Sequence, residues 1–426
     1  MIINSQYSHT HFSPACSFQN GAPVSNGSWR MKRMSKERMA VQCLFILFLF
    51  SGSLYAQAFD LEGVIVDYSS AETGLYLGSP SIAVLENGTY VVSIDPFGPA
   101  INKSEKPRAA KLFSSNDQGK SWTFITDVPN TFWAGLFTLD GDLYLMGSTD
   151  EYGDLAIRKS TDGGHTWTTP VDEHTGLLNT DYEYHTAPVP VVTHNGRIWR
   201  AMEDRYPPEK WGENFRALVV SAPVDSDLLD ASSWTISNRL QYDHEKWEGY
   251  AWLEGNIVVT PNDELVNVLR ADFRPEPIYG KAAVVNISEN GETVSFTPET
   301  GFIDLPGGTK KFTIRYDDTS QKYWSLVNYI PEEYADFSEF RPDQIRNTLV
   351  LVSSKNLTDW KINKIIYQHP DVKHVGFQYA DWLFENNDIV SVIRTAYPDH
   401  EGRNAHNAHD SNYIIFKRIK DFRQYE

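Results

Sequence analysis

Apolar positions along this chain come in short runs, two to a unit, with a polar turn between them. Ser81–Asp95 (SIAVLENGTYVVSID), Leu136–Gly147 (LFTLDGDLYLMG), Val189–Glu203 (VPVVTHNGRIWRAME) and Gly255–Ala271 (GNIVVTPNDELVNVLRA) all have this form. So do Lys311–Tyr329 and Ala380–Ala396, and Thr348–Ser354 (TLVLVSS) is a single run. The turns are Asn87-Gly88, Asp140-Gly141, Asn195-Gly196, Asn262-Asp263 and Asn386-Asn387. Such pairs accept the positive φ of tight two-residue hairpins. No long stretch has the spacing of an amphipathic helix. With 12 Trp, 22 Tyr and 27 Gly, the pattern predicts an all-β protein of many short strands and almost no helix.

Two segments nearly superimpose. Ser115-Asn-Asp117-Gln-Gly119-Lys-Ser121-Trp122 and Ser160-Thr-Asp162-Gly-Gly164-His-Thr166-Trp167 both read S-x-D-x-G-x-[ST]-W, 45 residues apart. The Asp accepts from nearby backbone N–H groups, the Gly supplies positive φ and the Trp packs back onto the sheet. Degenerate copies stand at Ser354–Trp360 and around Ser233-Trp234. Repeated β-units at this period predict a β-propeller.

Val41–Tyr55 is the one strongly apolar stretch. Arg30, Lys32, Arg33, Lys36 and Arg38 precede it and Ala56-Gln57-Ala58 follows. This reads as a secretory signal peptide cleaved near Ala58, with a membrane anchor as the alternative. Residues 1–58 are thus expected to be leader, with 1–30 an extension upstream of a start at Met31 or Met34. Residues 59–426 form the propeller domain, 368 residues in all. At about 60 residues per blade that makes six, though five or seven also fit. Export to a periplasm or the cell exterior is expected. Both cysteines, Cys16 and Cys43, fall in the leader, so the mature domain relies on its core alone.

Charge then narrows the partners. The chain carries 38 Lys+Arg against 56 Asp+Glu, a formal −18. Without the leader this becomes −22. Nucleic acid and anionic membranes are poor partners for such a surface. No Walker, G-x-G-x-x-G, CxxC or G-x-S-x-G motif is present, and no cofactor is expected.

The S-x-D-x-G-x-[ST]-W repeats resemble the Asp-boxes (BNR repeats) of the sialidase superfamily, and the whole mature chain resembles that group. Glu254, in Trp252-Leu-Glu254-Gly, is followed sixteen residues later by Arg270, a spacing similar to that of sialidases. The resemblance implies that Glu254 activates a tyrosine and Arg270 binds a substrate carboxylate. Tyr379, in Gln-Tyr379-Ala-Asp381-Trp, resembles the segment carrying the nucleophilic tyrosine. Arg315 falls where the last member of an arginine triad is expected. Ser79 stands where the first arginine should be. The acid/base Asp should lie in the following loop, where Asp95 and Glu105 are the candidates. Chemically the set is coherent: a guanidinium reads a carboxylate bidentately, and a tyrosine needs a base before it can attack.

The missing arginine points to a sugar other than sialic acid. The expected function is a retaining exo-glycosidase acting on an acidic or complex poly- or oligosaccharide. Propeller lyases that cleave uronate polysaccharides are also similar. For that chemistry His185, Tyr250, Tyr379, Arg197 and Arg270 form the candidate set. A non-catalytic glycan-binding propeller is the third reading. Trp133, Trp199, Trp247 and Trp252 are candidate sugar-stacking residues. His406, His409 and Asp410 have metal-ligand chemistry, but no helix or further His frames them. They read as a loop leading into a closing strand, Tyr413–Ile419, and no metal is expected. Phe59–Asp67 is expected to pair with that last blade and close the ring.

Overall fold

The computed structural model describes residues 60–103 and 106–426. The leader and signal peptide read above, Phe59 and Glu105 lie outside the described residues. Among the described residues, twenty-seven strands form six antiparallel sheets, and the two α-helices, Pro99–Asn102 and Pro298–Gly301, are one turn each. The sheets are the blades of a six-bladed β-propeller.

Blade 1 runs from Tyr76 to Pro129, blade 2 from Phe132 to Asn179, blade 3 from Glu183 to Gln241, blade 4 from Ala251 to Asp304 and blade 5 from Thr313 to Gln368. Blade 6 takes Gly376–Glu385, Asp388–Ala396 and Tyr413–Ile419, and its outermost strand is Val64–Tyr68 from the start of the domain. That strand pairs antiparallel, with Val64 opposite Phe416. The first and last parts of the propeller thus share a sheet and close the ring.

Each blade is buried on both faces, which is why its strands read as nearly continuous apolar runs. In blade 4, Ile257, Leu265 and Leu269 pack toward blade 3, while Val258, Val266 and Val268 pack toward blade 5. In blade 6, Ile389 and Ile393 face blade 5, and Val390 and Val392 face blade 1. Six such clusters fill the six interfaces. The repeat turns lie at the outer ends of the blades. Trp122 packs between blades 6 and 1, and Trp167 between 1 and 2.

The inner strands surround a channel plugged at its waist by polar bonds between blades. Asp381 Oδ2 accepts from Ser81 Oγ at 2.9 Å and Ile82 N at 3.0 Å, and Ser81 Oγ accepts from Leu136 N at 2.9 Å. Asn256 Oδ1 accepts from Ile314 N at 3.0 Å. This ring separates two mouths of different character.

Candidate active site

One backbone device recurs on the inner strands. In blades 1, 2, 4 and 6 the register slips by a β-bulge, between Gly78 and Ser81, Phe132 and Gly135, Leu253 and Asn256, and Gln378 and Asp381. At each bulge a non-glycine residue takes positive φ: Ser79 at 44°, Trp133 at 47°, Glu254 at 58° and Tyr379 at 51°. A bulge re-aims its side chain, and the left-handed backbone costs about 1–3 kcal/mol, which the surrounding fold must support. The residue before each bulge faces the end of the second strand: Gly78 opposite Asp95, Leu253 opposite Arg270, Gln378 opposite Arg394. Each blade thereby delivers a pair of side chains to the same end of the channel.

Blade 3 achieves the same differently. Its inner strand breaks after His185, through 186–191, where Pro188 and Pro190 cannot donate to the ladder. His185 ends the first half and stands opposite Glu203.

The delivered groups meet in a cavity of about 450 Å³ lined by Ser79, Asp95, Trp133, His185, Glu254, Tyr379 and Arg394, among others. Tyr379 Oη donates to Glu254 Oε1 at 2.8 Å, and Arg270 Nη1 donates to Glu254 Oε2 at 3.0 Å. All three are buried. Burial alone would raise the Glu254 pKa. The charges of Arg270 and His185, with the bonds from Arg270 and Tyr379, outweigh it and hold the carboxyl below its usual value. Burial, then the Glu254 charge, raises the Tyr379 hydroxyl, against Arg270, Arg346 and Arg394. The resting pair is therefore a phenol donating to a carboxylate, the arrangement a tyrosine nucleophile needs.

Asp95 is its opposite. Burial drives its pKa well above the ordinary value, against a backbone hydrogen bond from Trp133 and the charges of Arg108 and Arg394. Its Oδ2 has no partner. Burial thus favours the protonated form of this carboxyl, which faces the cavity. His185 is fixed by Glu203, with Nδ1 3.4 Å from Oε2, and by rings: Phe215 stacks at 4.5 Å and Trp133 meets it edge-on at 4.5 Å. Glu203 also accepts from Gly255 N at 3.1 Å. Arg394 lies over Phe97 and Tyr379, 4.6 and 4.8 Å from the ring centroids, and hydrogen-bonds to the His409 carbonyl at 2.7 Å.

Of the residues expected from sequence, Tyr379, Glu254, Arg270 and His185 come together, and Asp95 joins them. Arg270 stands behind Glu254, with Nε on the Thr309 carbonyl at 2.9 Å. Its hydrogen bonds brace the Glu254 carboxylate, and it is set back from the cavity lining. Arg315 is corrected in place: it bonds to the Trp382 carbonyl and, at 3.4 Å, to Asp381, on the waist facing the opposite mouth. Arg197 is committed to Ser221 and Thr235 and borders a separate depression between blades 3 and 4. Tyr250 donates to the Trp211 carbonyl at 3.1 Å and does not line the cavity. Trp252 is 0% exposed in the interface of blades 3 and 4, against Tyr242, Trp247 and Phe296, so no sugar can stack on it. Trp199 is buried in the same cluster.

His406 and His409 each contact Asp410, with Nδ1 2.9 and 2.8 Å from its two oxygens, and all three border the cavity. Sequence reading passed over Arg394 and Arg346. Arg346 Nη1 donates to Gln378 Oε1 at 2.7 Å, and its guanidinium lies 5.8 Å from the Tyr379 ring. A signal for Arg394 was present: Asn-Val-Leu-Arg270 and Ser-Val-Ile-Arg394 follow Glu254 and Tyr379 at nearly equal spacing.

No protein-family model matches the chain, and no curated protein matches it. Solved structures do. A Hadza microbial sialidase aligns at TM-score 0.55 and 12% identity, covering 84% of this chain and 68% of that one. A Penicillium chrysogenum α-L-arabinanase complexed with arabinobiose aligns at 0.51 and 14%, covering 84% and 97%. Trypanosoma rangeli sialidase in complex with sialic acid aligns at 0.53 and 13%, covering 82% and 55%. At these identities the likeness is one of fold: the chain has the six-bladed propeller fold that these sialidases and the arabinanase share.

Proposed function

We propose that the chain is an exported retaining exo-glycosidase acting on an acidic or complex oligosaccharide. The observation that carries this is the buried hydrogen bond of 2.8 Å from Tyr379 Oη to Glu254 Oε1. Tyr379 Oη attacks the anomeric carbon as its proton passes to Glu254. Asp95 gives its proton to the departing oxygen. Water then attacks the same carbon, loses a proton to Asp95 and releases Tyr379, which recovers its own proton from Glu254. The depressed Glu254 and raised Asp95 suit these roles. A cavity closed below by the channel waist suits the end of a chain. The hydrogen bonds of Arg394 run to His409 rather than to a carboxylate, which leaves its charge for an acidic group on the sugar. Sialidase and arabinanase structures with this fold support the reaction class. No helix among the described residues is long and apolar enough to cross a membrane, and export is inferred from the leader sequence.

His185 supports a second reading. It fronts the same cavity, oriented by Glu203, where it could take a proton beside a uronate carboxylate in a lyase.

The test is a panel of aryl glycosides and uronate polysaccharides, followed by reducing-sugar release and by the ultraviolet absorbance of unsaturated product. The hydrolase reading expects released sugar, abolished in Glu254→Gln with folding and binding kept. Unsaturated product lost in His185→Gln would establish the lyase. Binding without turnover leaves a glycan-binding propeller.

A further inference from the structure

Trp211 is an aromatic that the mechanism above leaves unused. It is 37% exposed, yet it lines the same cavity as Glu254 and Tyr379. It sits in the 206–214 loop between two strands of blade 3. Its carbonyl accepts from Tyr250 Oη at 3.1 Å. The Arg274 guanidinium lies 4.7 Å from its ring centroid and is itself gripped by Asp272, with Nε 2.9 and 3.1 Å from the two carboxylate oxygens. The ring edge meets Phe215 at 5.7 Å. An indole held on several sides and still partly open to a polar cavity is a preorganised platform for the apolar face of a sugar.

Its position selects which sugar. Asp95, the proton donor to the leaving oxygen, takes a hydrogen bond from the Trp133 backbone. From Trp133 a series of rings leads outward: Trp133 to Tyr152 at 5.3 Å, Tyr152 to Phe215 at 6.4 Å, Phe215 to Trp211 at 5.7 Å. Trp211 thus lies at the rim end of the wall that begins beside the acid. On the glycosidase reading, a group that leaves with Asp95's proton has that wall beside it. We infer that Trp211 is the platform of a leaving-group subsite that binds the sugar ring next to the one released, so the protein acts on oligosaccharide ends in preference to small glycosides. The inference rests on the glycosidase reading.

The experiment pairs two substrates that share the reacting sugar. The first is chosen from α-L-arabino-oligosaccharides, sialyllactose and uronate-terminated oligosaccharides as the one the wild type cleaves. The second is the glycosyl fluoride of the sugar released, whose fluoride is too small to reach Trp211. Trp211→Ala should lower kcat/KM on the oligosaccharide by about tenfold, chiefly through KM, and change the fluoride by less than about twofold. Trp211→Phe, which keeps a ring, should recover most of the loss. Equal losses on both substrates, or no loss on the oligosaccharide, overturn the subsite. If Tyr379→Phe is inactive on both substrates while Trp211→Ala matches wild type, only the subsite falls. A wild type that cleaves nothing in the panel removes the glycosidase reading and the subsite with it.

Discussion

The outer turns and the inner bulges of this propeller both use positive φ, and they use it for opposite ends. In the outer turns the bonds are local and repeat almost to the ångström. Ser115 Oγ to Asp117 is 2.8 Å, Gly119 N to Ser115 Oγ 2.9 Å and Ser121 N to Asp117 2.9 Å. Ser160, Asp162, Gly164 and Thr166 give 2.8, 2.9 and 2.9 Å for the same contacts. Every partner lies within the turn itself. In the inner bulges the backbone repeats and the side chains do not: Ser79, Trp133, Glu254 and Tyr379 occupy one position in four blades. Their partners come from other blades. Glu254 meets Tyr379 across 125 residues of chain, and the Ala380 carbonyl beside Tyr379 is held by Lys311 at 2.9 Å and Thr313 at 3.0 Å. Repetition secures the scaffold, and departure from repetition builds the candidate site.

The sharpest separation of the two is Tyr379→Phe. It removes one oxygen and keeps the ring, so the protein should still fold, with a modest fall in melting temperature from the lost buried hydrogen bond, while turnover falls by about 10²-fold or more. A small change in turnover would make Tyr379 a packing residue and put the bulges on the same footing as the turns. His185 would then lead as the catalytic candidate.

Asp95→Asn should be nearly as damaging to turnover and should also stabilise the fold. A carboxyl whose folded pKa is raised stabilises the protein only at low pH. That contribution is full below the unfolded value near 3.8 and is lost as pH rises through the folded one. At pH 7 the wild type bears the strain of a buried acid that the amide does not. The kcat/KM profile should be a bell. The acid limb belongs to Glu254 gaining a proton below the ordinary carboxylate range, and the alkaline limb to Asp95 losing one. Asp95→Asn should erase the alkaline limb. An alkaline limb that persists in the variant would assign the proton donor elsewhere.

The same contrast explains what could be read from sequence. The turns were legible because Ser, Asp, Gly and Trp act within eight residues, so their spacing is visible in one dimension. The hairpins were legible through Asn-Gly, Asp-Gly and Asn-Asn pairs, and Asp140, Asn195 and Asn386 indeed take positive φ. Ser233-Trp234 misled: it is a 3₁₀ turn capped by Asp230 through Ser232 N, and its indole bonds to Leu228. Glu254 and Tyr379 were found through resemblance rather than spacing, since nothing local marks a bulge. Arg315 misled because alternate residues of an inner strand face different surroundings, and its register turns it toward Asp381 and the lower mouth. That mouth, about 690 Å³ and largely apolar, carries none of the bulge residues. Trp252 misled because it stands two residues before Glu254 on a strand whose side chains there pack into the blade interface, not the channel.

Removing a turn should touch stability alone. Asp162→Ala gives up bonds from Thr166 N, Thr166 Oγ1 and Ser160 Oγ. By analogy with lost helix caps it should cost about 1 kcal/mol. Turnover of the folded variant, followed beside its urea midpoint, should equal wild type. Loss of turnover in the folded state would couple the rim to the site.

The finest test lies between the two turns themselves. Gln118 and Gly163 hold the same place, at φ 61° and 75°. A left-handed side chain costs about 1 kcal/mol or more, and the greater freedom of glycine in the unfolded chain returns about half of that or more. Gln118→Gly should therefore stabilise the protein by roughly 0.5 kcal/mol, and Gly163→Gln should destabilise it by a similar amount. Space does not decide either exchange. Gln118 is exposed, and a Cβ on Gly163 would meet only Leu85 Cδ1, at an ordinary 3.4 Å. The neighbouring glycines show what happens when space does decide. A Cβ on Gly119 would sit 2.2 Å from the Phe416 ring of blade 6, whereas one on Gly164 would meet Leu112 at 3.4 Å. Gly119→Ala must therefore displace a ring in the interface that closes the propeller, while Gly164→Ala meets backbone strain alone. If denaturant midpoints rank Gly119→Ala no lower than Gly164→Ala, the first turn does not brace that interface, and the two repeats are equivalent in energy as well as in geometry.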